Sequence, residues 1–407
     1  MEILFVTMTF PPKAYGGVTT VSYNMARALA RLGHNVTVFT TDYRDKLSRI
    51  SGTPQMQLTQ GMATLYFLNA SNRLAHSRLF LPLTMIAALR KRLPDFDIVH
   101  LHDFRSIPAV AVHYYAMKYG VPYILQAHGS AATFFQKGAL KSAFDSMWGR
   151  AGLTDAAGLI ATTPAEADQY ASMGADRGKI TIIPNGINTT EFATLPKRGL
   201  LRDKLGIRAD EKVILFLGRL HRLKGLEVLI RALALLLREA EEALLLVVGP
   251  DDGYLSPILH LARQLGVEGR MRYLGPLYGE EKIQAFVDAD LFVLPSHYEI
   301  FGVVVFEALM CGTPVLVSDS CGTAFLIRDK KLGFVAKSGN PPSMASAITQ
   351  ILRNLPEARA TTQRARSFIE ANLSWEILAR QVEAVYERCA GRGSSSALRN
   401  MGFPVRQ

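Results

Sequence analysis

The stretch from Leu291 to Pro314 constrains the fold more than any other. Four apolar residues, Leu291–Leu294, read as a short buried strand that Pro295 and Ser296 bring to an end. The run SHYEIFGVVVFEALMCGTP then fills 296–314. Phe301-Gly302 open a helix that reaches about Met310, and Gly312-Thr313-Pro314 stop it. Glu299 stands in the loop before this helix and Glu307 inside it, eight positions later. The first backbone N–H groups, at Gly302, Val303 and Val304, have no intrahelical acceptor. A helix start of this kind attracts an anion, because unpaired donors and the helix dipole both favour negative charge. Carboxylates cannot partner an anion, so Glu299 and Glu307 are read as acceptors for hydroxyl groups. A group that carries both an anion and hydroxyls is a sugar nucleotide. The competing reading is a plain strand–loop–helix with two surface acids.

The rest of the chain sets the frame around that stretch. With 407 residues, 49% hydrophobic and 20% charged, it is long enough for two full cores and too apolar to be disordered. No apolar run reaches eighteen residues, so no spanning helix is expected. The start, MEILFVTMTFPP, lacks the basic flank of a signal peptide and reads as a first strand. Three cysteines, Cys311, Cys321 and Cys389, have no metal-ligand spacing and suit a reducing cytoplasm. The net charge is +11; residues 1–185 carry 18 basic and 11 acidic side chains, so most of the excess falls there. Such a surface can meet anionic lipid, nucleic acid or an acidic substrate, or simply be solvated.

Read in order, the chain opens β-α-β. A strand at 2–7 is followed by a loop holding Gly16 and Gly17, a helix over 19–32 and a strand over 35–40. Alternation of this kind predicts a parallel sheet with ligands at strand ends, where Gly16-Gly17 lies. One or two strands are expected in 55–68, helices at 78–93, 107–119, 133–150 and 164–173, and strands at 97–101, 122–126, 158–161 and 179–183. Pro184-Asn185-Gly186 closes a first domain, 1–185, and 187–210 reads as a linker. A second βα series begins at 213–217. It carries helices at 225–239, 255–265, 280–288, 303–310 and 342–353, with strands at 244–248, 271–274, 291–294 and 315–317. Two last helices cover 357–372 and 375–390, and the tail 391–407 reads as disordered.

A second charged turn strengthens the anion reading. The strand 213–217 ends in GRLHRLKG, which puts Arg219 and Lys224 at the sheet edge where Glu299 and the helix start at Gly302 also lie. Two cations and a helix end can neutralise two phosphates without a metal. A basic surface loop is the alternative.

At this point the residues resemble a known family. GRL-x3-KG followed by S-x2-E-x-FG-x4-EA-x2-CG-x-PV is similar to the retaining family 4 glycosyltransferases. Gly16-Gly17-Val18, His128 in AHGS, Pro184-Asn185-Gly186 and Ser374-Trp375-Glu376 extend the likeness over most of the chain. The resemblance implies an α/β GT-B fold: two doubly wound, Rossmann-like parallel-sheet domains facing a cleft. An acceptor-side domain would span 1–185 and a donor-binding domain 186–375, with the helix 376–390 crossing back to the first. Arg219, Lys224 and the N–H groups of Gly302, Val303 and Val304 would hold the donor diphosphate. Glu307 would accept from the ribose and Glu299 from the transferred sugar. Phe301 belongs to the same donor-binding turn, His128 would lie beside the sugar, and Gly16 and Gly17 would let the first loop approach donor and acceptor. His128, Glu299, Arg219 and Lys224 are therefore the catalytic candidates.

The implied reaction moves a sugar from a UDP- or GDP-linked donor to a glycan or lipid-linked acceptor with retention, as in cell-surface polysaccharide or glycolipid synthesis. No cofactor and no nucleic acid are expected, the sugar nucleotide being the substrate. Front-face departure, in which the leaving phosphate takes the acceptor proton, is preferred because no loop acid of the first domain offers a nucleophile. Two features depart from the family pattern. Where many relatives have GG-x2-E, this chain has Cys321-Gly322-Thr323-Ala324-Phe325, with Phe325 in place of the acid, and Asn340 replaces a common Asp.

Other readings remain beside this one. Asp95-Phe96-Asp97 and Asp288-Ala289-Asp290 have DxD spacing, but both precede apolar strands and read as strand-entry residues rather than metal ligands. His100, His102 and Asp103 could form a metal cluster; buried or cleft-lining histidines are the preferred reading. The basic, apolar segments 78–92 and 133–150 are candidates for an anionic membrane surface, which would place a cytoplasmic protein at the inner face of the membrane. They are also candidates for ordinary helices with one face in the core, the reading preferred for 78–92. A GT-B phosphorylase, a sugar-nucleotide epimerase and a non-catalytic nucleotide binder stay open as alternatives.

Overall fold

The computed structural model describes residues 1–11, 16–45, 47–50, 55–59, 61–77, 79–131, 138–239 and 242–391. The chain divides into two compact units, Met1–Gly186 with the stretch from Trp375 onward, and Ile187–Ser374. Both are built from β-strands with helical crossovers, which returns successive strands parallel to one another.

In the first unit the strands are β1 (Glu2–Val6), β2 (Asn35–Thr41), β3 (Gln55–Thr59), β4 (Met62–Phe67), β5 (Ile98–Leu101), β6 (Tyr123–Leu125), β7 (Gly158–Ala161) and β8 (Ile180–Ile182). Among the described residues they lie in the order β3-β4-β2-β1-β5-β6-β7-β8. All neighbours are parallel except β3, which pairs antiparallel with β4 at the sheet edge. β1 shows why a run such as Ile-Leu-Phe-Val becomes a central strand. Ile3 and Phe5 enter the core on one face, Leu4 and Val6 the core on the other, and all four are fully buried. The first of these cores is closed by the helices Gly17–Arg31 and Trp375–Cys389, which bring Met25, Leu29, Leu378 and Val382 together. Trp375 lies so close to Gly186 that a Cβ there would fall 2.4 Å from its ring.

The second unit holds β9 (Lys212–Leu217), β10 (Ala243–Val248), β11 (Met271–Gly275), β12 (Leu291–Leu294), β13 (Val315–Ser318) and β14 (Phe334–Ala336). Their order is β11-β10-β9-β12-β13-β14, all parallel. The chain reverses direction across the sheet between β9 and β12, and a crevice at their carboxyl ends is the natural ligand position in such a sheet. The crossover helix Leu226–Arg238 is buried at Leu226, Leu229, Ile230, Leu233 and Leu236, the spacing of an amphipathic stripe. Each such side chain contributes roughly 1.5–3 kcal/mol by burial.

Several expectations are corrected. The helix anticipated at 78–93 begins only at Leu83, because proline disfavours helical backbone in the residue before it and Pro82 becomes the cap; Arg78 lies outside the described residues. A short helix, Asn72–His76, precedes it, capped by the Ser71 hydroxyl. The helix anticipated at 133–150 is described from Gly138, passes through a π-helical turn over Asp145–Gly149 and continues to Thr154; 132–137 lie outside the description, as do 392–407 of the tail.

The segment 187–210 is not a linker but a packed part of the second unit. It contains the turn Thr189–Phe192, whose Phe192 is buried, and the helix Leu200–Leu205. Asp288 receives the N–H groups of Gly199, Leu201 and Arg202 at 2.5, 2.6 and 3.1 Å, so a residue far along the chain caps this helix. Asp290 is paired with Arg202 at 2.7 Å, Arg198 at 2.5 Å and Arg359 at 3.1 Å. The helix Ala324–Asp329 and strand β14 also went unread in the sequence. Asn340 caps the helix Pro341–Arg353 by accepting from Ser343 N at 2.9 Å, a task that Asp and Asn perform equally well.

Candidate active site

The second unit brings three turns together at the carboxyl end of its sheet. The first follows β9. His221 Nδ1 accepts from Leu223 N at 3.1 Å and starts a 3-10 turn, Arg222–Lys224, which Gly225 ends in the left-handed conformation. A Cβ on Gly225 would lie 2.1 Å from the Pro295 carbonyl oxygen, so only glycine lets this turn lie against the end of β12. His297 N donates to Leu223 O at 2.9 Å and ties the two turns together. The second turn, 296–302, reaches the helix Val303–Met310 through Gly302, whose φ of +65° again requires a residue without a Cβ penalty. The third is built around Cys321-Gly322. Gly322 N donates to Glu299 O at 2.7 Å, and Cys321 forms a parallel bridge with Glu299. The Cys321-Gly322 departure from the family pattern therefore holds the backbone of the loop that carries Glu299. Phe325 lies in the helix Ala324–Asp329 and is half-buried.

The charged side chains of these turns are paired. Lys224 Nζ forms an ion pair with Glu299 Oε2. Lys282 Nζ lies 2.9 Å from Glu307 Oε1, and Arg219 Nη1 lies 2.5 Å from Asp252 Oδ2. The lysine pairs are mostly buried, whereas the arginine pair is exposed. A pocket of about 250 Å³ lies beside them, its lining including Arg219, Lys224, Lys282, Val304 and Glu307. Of the residues expected at the donor site, Arg219, Lys224, Glu299, Gly302, Val303, Val304 and Glu307 thus fall on adjoining turns of one sheet edge. Phe301 is corrected in part: it is 2% exposed and its ring stacks on Phe306 at 5.2 Å, so its side chain belongs to the core and only its main chain can meet a ligand.

Sequence reading missed Lys282, Tyr278 and Asp252. None sits in a local pattern that separates it from a surface residue; packing alone places Lys282 beside Glu307. It also missed Glu227, which takes His297 Nε2 at 2.5 Å and Tyr254 Oη at 3.3 Å at the start of the crossover helix.

The remaining candidates lie in the first unit. Gly16 and Gly17 are exposed at the start of the helix Gly17–Arg31, where Gly16 O accepts from Thr20 N at 3.0 Å; residues 12–15 before them are outside the description. His128 follows β6 and is half-buried in the left-handed conformation, with φ of +49°. It is the end of a histidine column. His100 and His102 are buried, their rings stacked 4.1 Å apart, and His102 Nδ1 lies 3.0 Å from His128 Nε2. His100 Nδ1 meets Tyr386 Oη at 2.6 Å. Burial pushes His100 and His128 down to about 3 and holds His102 well below the ordinary histidine value.

The two acid pairs with DxD spacing have structural partners. Asp97 accepts from Glu2 N at 2.9 Å and Asp95 lies 3.8 Å from Arg92; Asp288 and Asp290 form the network described above. Among the described residues no group of three or more His, Cys, Asp or Glu is arranged to hold a metal ion.

Comparison with known proteins agrees with both sheets. The model of glycosyl transferases group 1 matches residues 197–368, and that of Glycosyltransferase Family 4 matches residues 15–191. A D-inositol 3-phosphate glycosyltransferase of Actinosynnema mirum is 30% identical over 391 residues, 91% of this chain and 92% of the relative. An uncharacterized glycosyltransferase of Methanocaldococcus jannaschii is 28% identical over 95% of this chain and 98% of its own length. Among solved structures, Anabaena HepE in complex with UDP and glucose has a TM-score of 0.75 at 19% identity, covering 94% of this chain and 98% of that one. WaaG, a glycosyltransferase involved in lipopolysaccharide biosynthesis, has a TM-score of 0.69 at 20% identity, covering 94% and 99%. Two parallel-sheet units of this kind define a glycosyltransferase of the GT-B type. The chain belongs to the group 1, family 4 glycosyltransferases.

Proposed function

We propose that this chain transfers a sugar from a nucleoside diphosphate sugar, UDP- or GDP-linked, to a glycan or lipid-linked acceptor with retention of configuration. The observation that carries the donor half is the pocket of the second unit, lined by Arg219, Lys224, Lys282, Val304 and Glu307, with Glu299 beside it in an ion pair with Lys224. The diphosphate would take over Lys224 and Arg219 from Glu299 and Asp252. This exchange keeps each lysine or arginine charge-paired and frees Glu299 to accept from sugar hydroxyls. Glu307 is the only charged residue of an otherwise apolar helix and would accept from the ribose.

As the C1–O bond breaks, charge grows on the leaving diphosphate, and preorganised donors stabilise that charge more than the ground state. Retention and front-face departure follow the family resemblance, with the leaving phosphate taking the acceptor proton. His128 is assigned to hydrogen-bond the transferred sugar, and Gly16-Gly17 to let the first loop approach the substrates. The first unit is thereby read as the acceptor-side domain and the second as the donor domain. Support for a UDP-linked donor comes from HepE, which was solved with UDP and with UDP-glucose.

The test is a thermal-shift screen of the full chain against UDP-, GDP- and ADP-sugars. A ligand of the folded state at a hundred times its Kd adds about 2.7 kcal/mol and raises the melting temperature. One base should do so, and Lys224→Ala should abolish the shift; no shift from any sugar nucleotide would overturn the donor assignment.

Membrane association is a further part of this reading. Leu83, Met147 and Trp148 are exposed in the basic helical segments of the first unit, and among the described residues no helix is long and apolar enough to cross a membrane. Flotation with anionic but not neutral liposomes at low salt is the expected result, and equal flotation or none removes it.

A further inference from the structure

His128 is held in an unusual backbone conformation by a clamp on the three residues that follow it. A φ of +49° is uncommon outside glycine, and such positions persist where their surroundings over-determine them. Glu166 Oε1 accepts from Gly129 N at 2.5 Å. Arg105, forked onto Asp145 at 2.8 and 2.6 Å, donates to Ser130 O and, at 3.0 Å, to Ala131 O. The backbone therefore delivers the His128 ring to one place, and the hydrogen bond at its Nε2 decides which nitrogen carries its proton.

That hydrogen bond goes to His102, 3.0 Å away, with the two rings within 11° of coplanar. His102 is 2% exposed, packed between the Phe5 and His100 rings at 4.8 and 4.1 Å, with no carboxylate partner. Such burial keeps it neutral, so it carries one N–H. Its Nε2 is buried and has no hydrogen-bond partner among the described residues. If the proton sat on Nε2, a buried donor would be orphaned, which is rarer and costlier than an idle lone pair. The proton therefore belongs on Nδ1 of His102, donated to His128 Nε2. A neutral His128 then bears its own proton on Nδ1, which makes no hydrogen bond among the described residues.

We infer that His102 is a positioning residue that fixes His128 in the Nδ1–H tautomer, so that His128 presents a hydrogen-bond donor, not a base, to its substrate. The group it would meet is an oxygen acceptor, a sugar hydroxyl or a phosphate oxygen. The functional half of this inference rests on the proposed assignment of His128 to the transferred sugar; the tautomer does not.

The experiment is a long-range ¹H–¹⁵N correlation of histidine ring nitrogens in the full-length protein, with His128 assigned by its loss in His128→Gln. The expected pattern is a pyrrole-type Nδ1 and a pyridine-type Nε2 on His128. His102→Asn, whose amide nitrogen can stand where Nδ1 stood, should keep that pattern and most of the turnover. His102→Leu should lose it and lower kcat about tenfold or more, with the melting temperature held close to that of His102→Asn. A wild-type His128 with its proton on Nε2, or Asn and Leu variants equally impaired, would overturn the inference. A correct tautomer with full turnover in His128→Gln would instead refute the assignment of His128 to the sugar.

Discussion

Lys224 ends the 3-10 turn after β9, and its ammonium group is already committed to Glu299. A cation held in place before the reaction begins costs little reorganisation when charge develops on the leaving group. Removing one such donor typically costs about 10²–10³ in rate, or ~2.7–4 kcal/mol. Lys224→Ala is expected to lose that much in turnover while remaining folded; turnover within about twofold of wild type would refute its role. The sequence placed Lys224, Arg219, Glu299 and the helix start at Gly302 at one sheet edge, because strand ends and helix starts are readable from local pattern. It could not pair them. Lys282 is 25 residues from Glu307, and no periodicity links the two.

At the scale of elements, the helix Leu200–Leu205 and the acids before β12 depend on each other. Arg202 is 5% exposed and its guanidinium bonds Asp290 Oδ2, Asp288 O, Arg208 O and Glu211 O. The stretch 187–210 looked like a linker because its stabilisation is polar and distant, whereas sequence reading detects apolar periodicity. The same network accounts for the Asp288-Ala289-Asp290 spacing without a metal: one acid caps a helix, the other pairs three arginines. Removing one partner from a buried ion network leaves uncompensated charge and costs about 3–5 kcal/mol. Asp290→Ala should lower the unfolding free energy measured in urea by that much and leave sugar-nucleotide affinity of the folded protein unchanged. A loss under about 1 kcal/mol would show that the network adds little.

Over the whole molecule, the buried histidine column makes stability depend on acid. His100 is fully buried, and its folded-state value of about 3 lies below the 6.5 expected when unfolded. A histidine lowered by folding contributes stability that is complete above pH 6.5 and is lost as pH falls toward 3, because the unfolded chain binds the proton first. For His100 alone the loss by pH 5 is on the order of 2 kcal/mol. His102 and His128 act in the same direction. The buried Glu166, whose carboxyl is raised by desolvation, acts in the opposite one, its cost growing as pH rises above the ordinary carboxylate range. Unfolding free energy measured from pH 7 to pH 5 should fall, and His100→Asn, which offers Tyr386 a polar partner but does not titrate, should flatten the slope. Equal slopes would place the acid sensitivity elsewhere.

By itself the sequence determined the two parallel sheets, the alternation of most strands and helices, the helix start at Gly302 and the family of the chain. These rest on local physics: apolar runs that must be buried on both faces, caps and breakers that end them, and backbone angles that only certain residues adopt. Tertiary structure alone decided which cation meets which carboxylate, that 187–210 belongs to a core, and that His100, His102 and His128 stack into one column. Those outcomes depend on contacts between residues tens to hundreds of positions apart, such as His100 with Tyr386. The free energy of such a contact exists only once the intervening chain has folded.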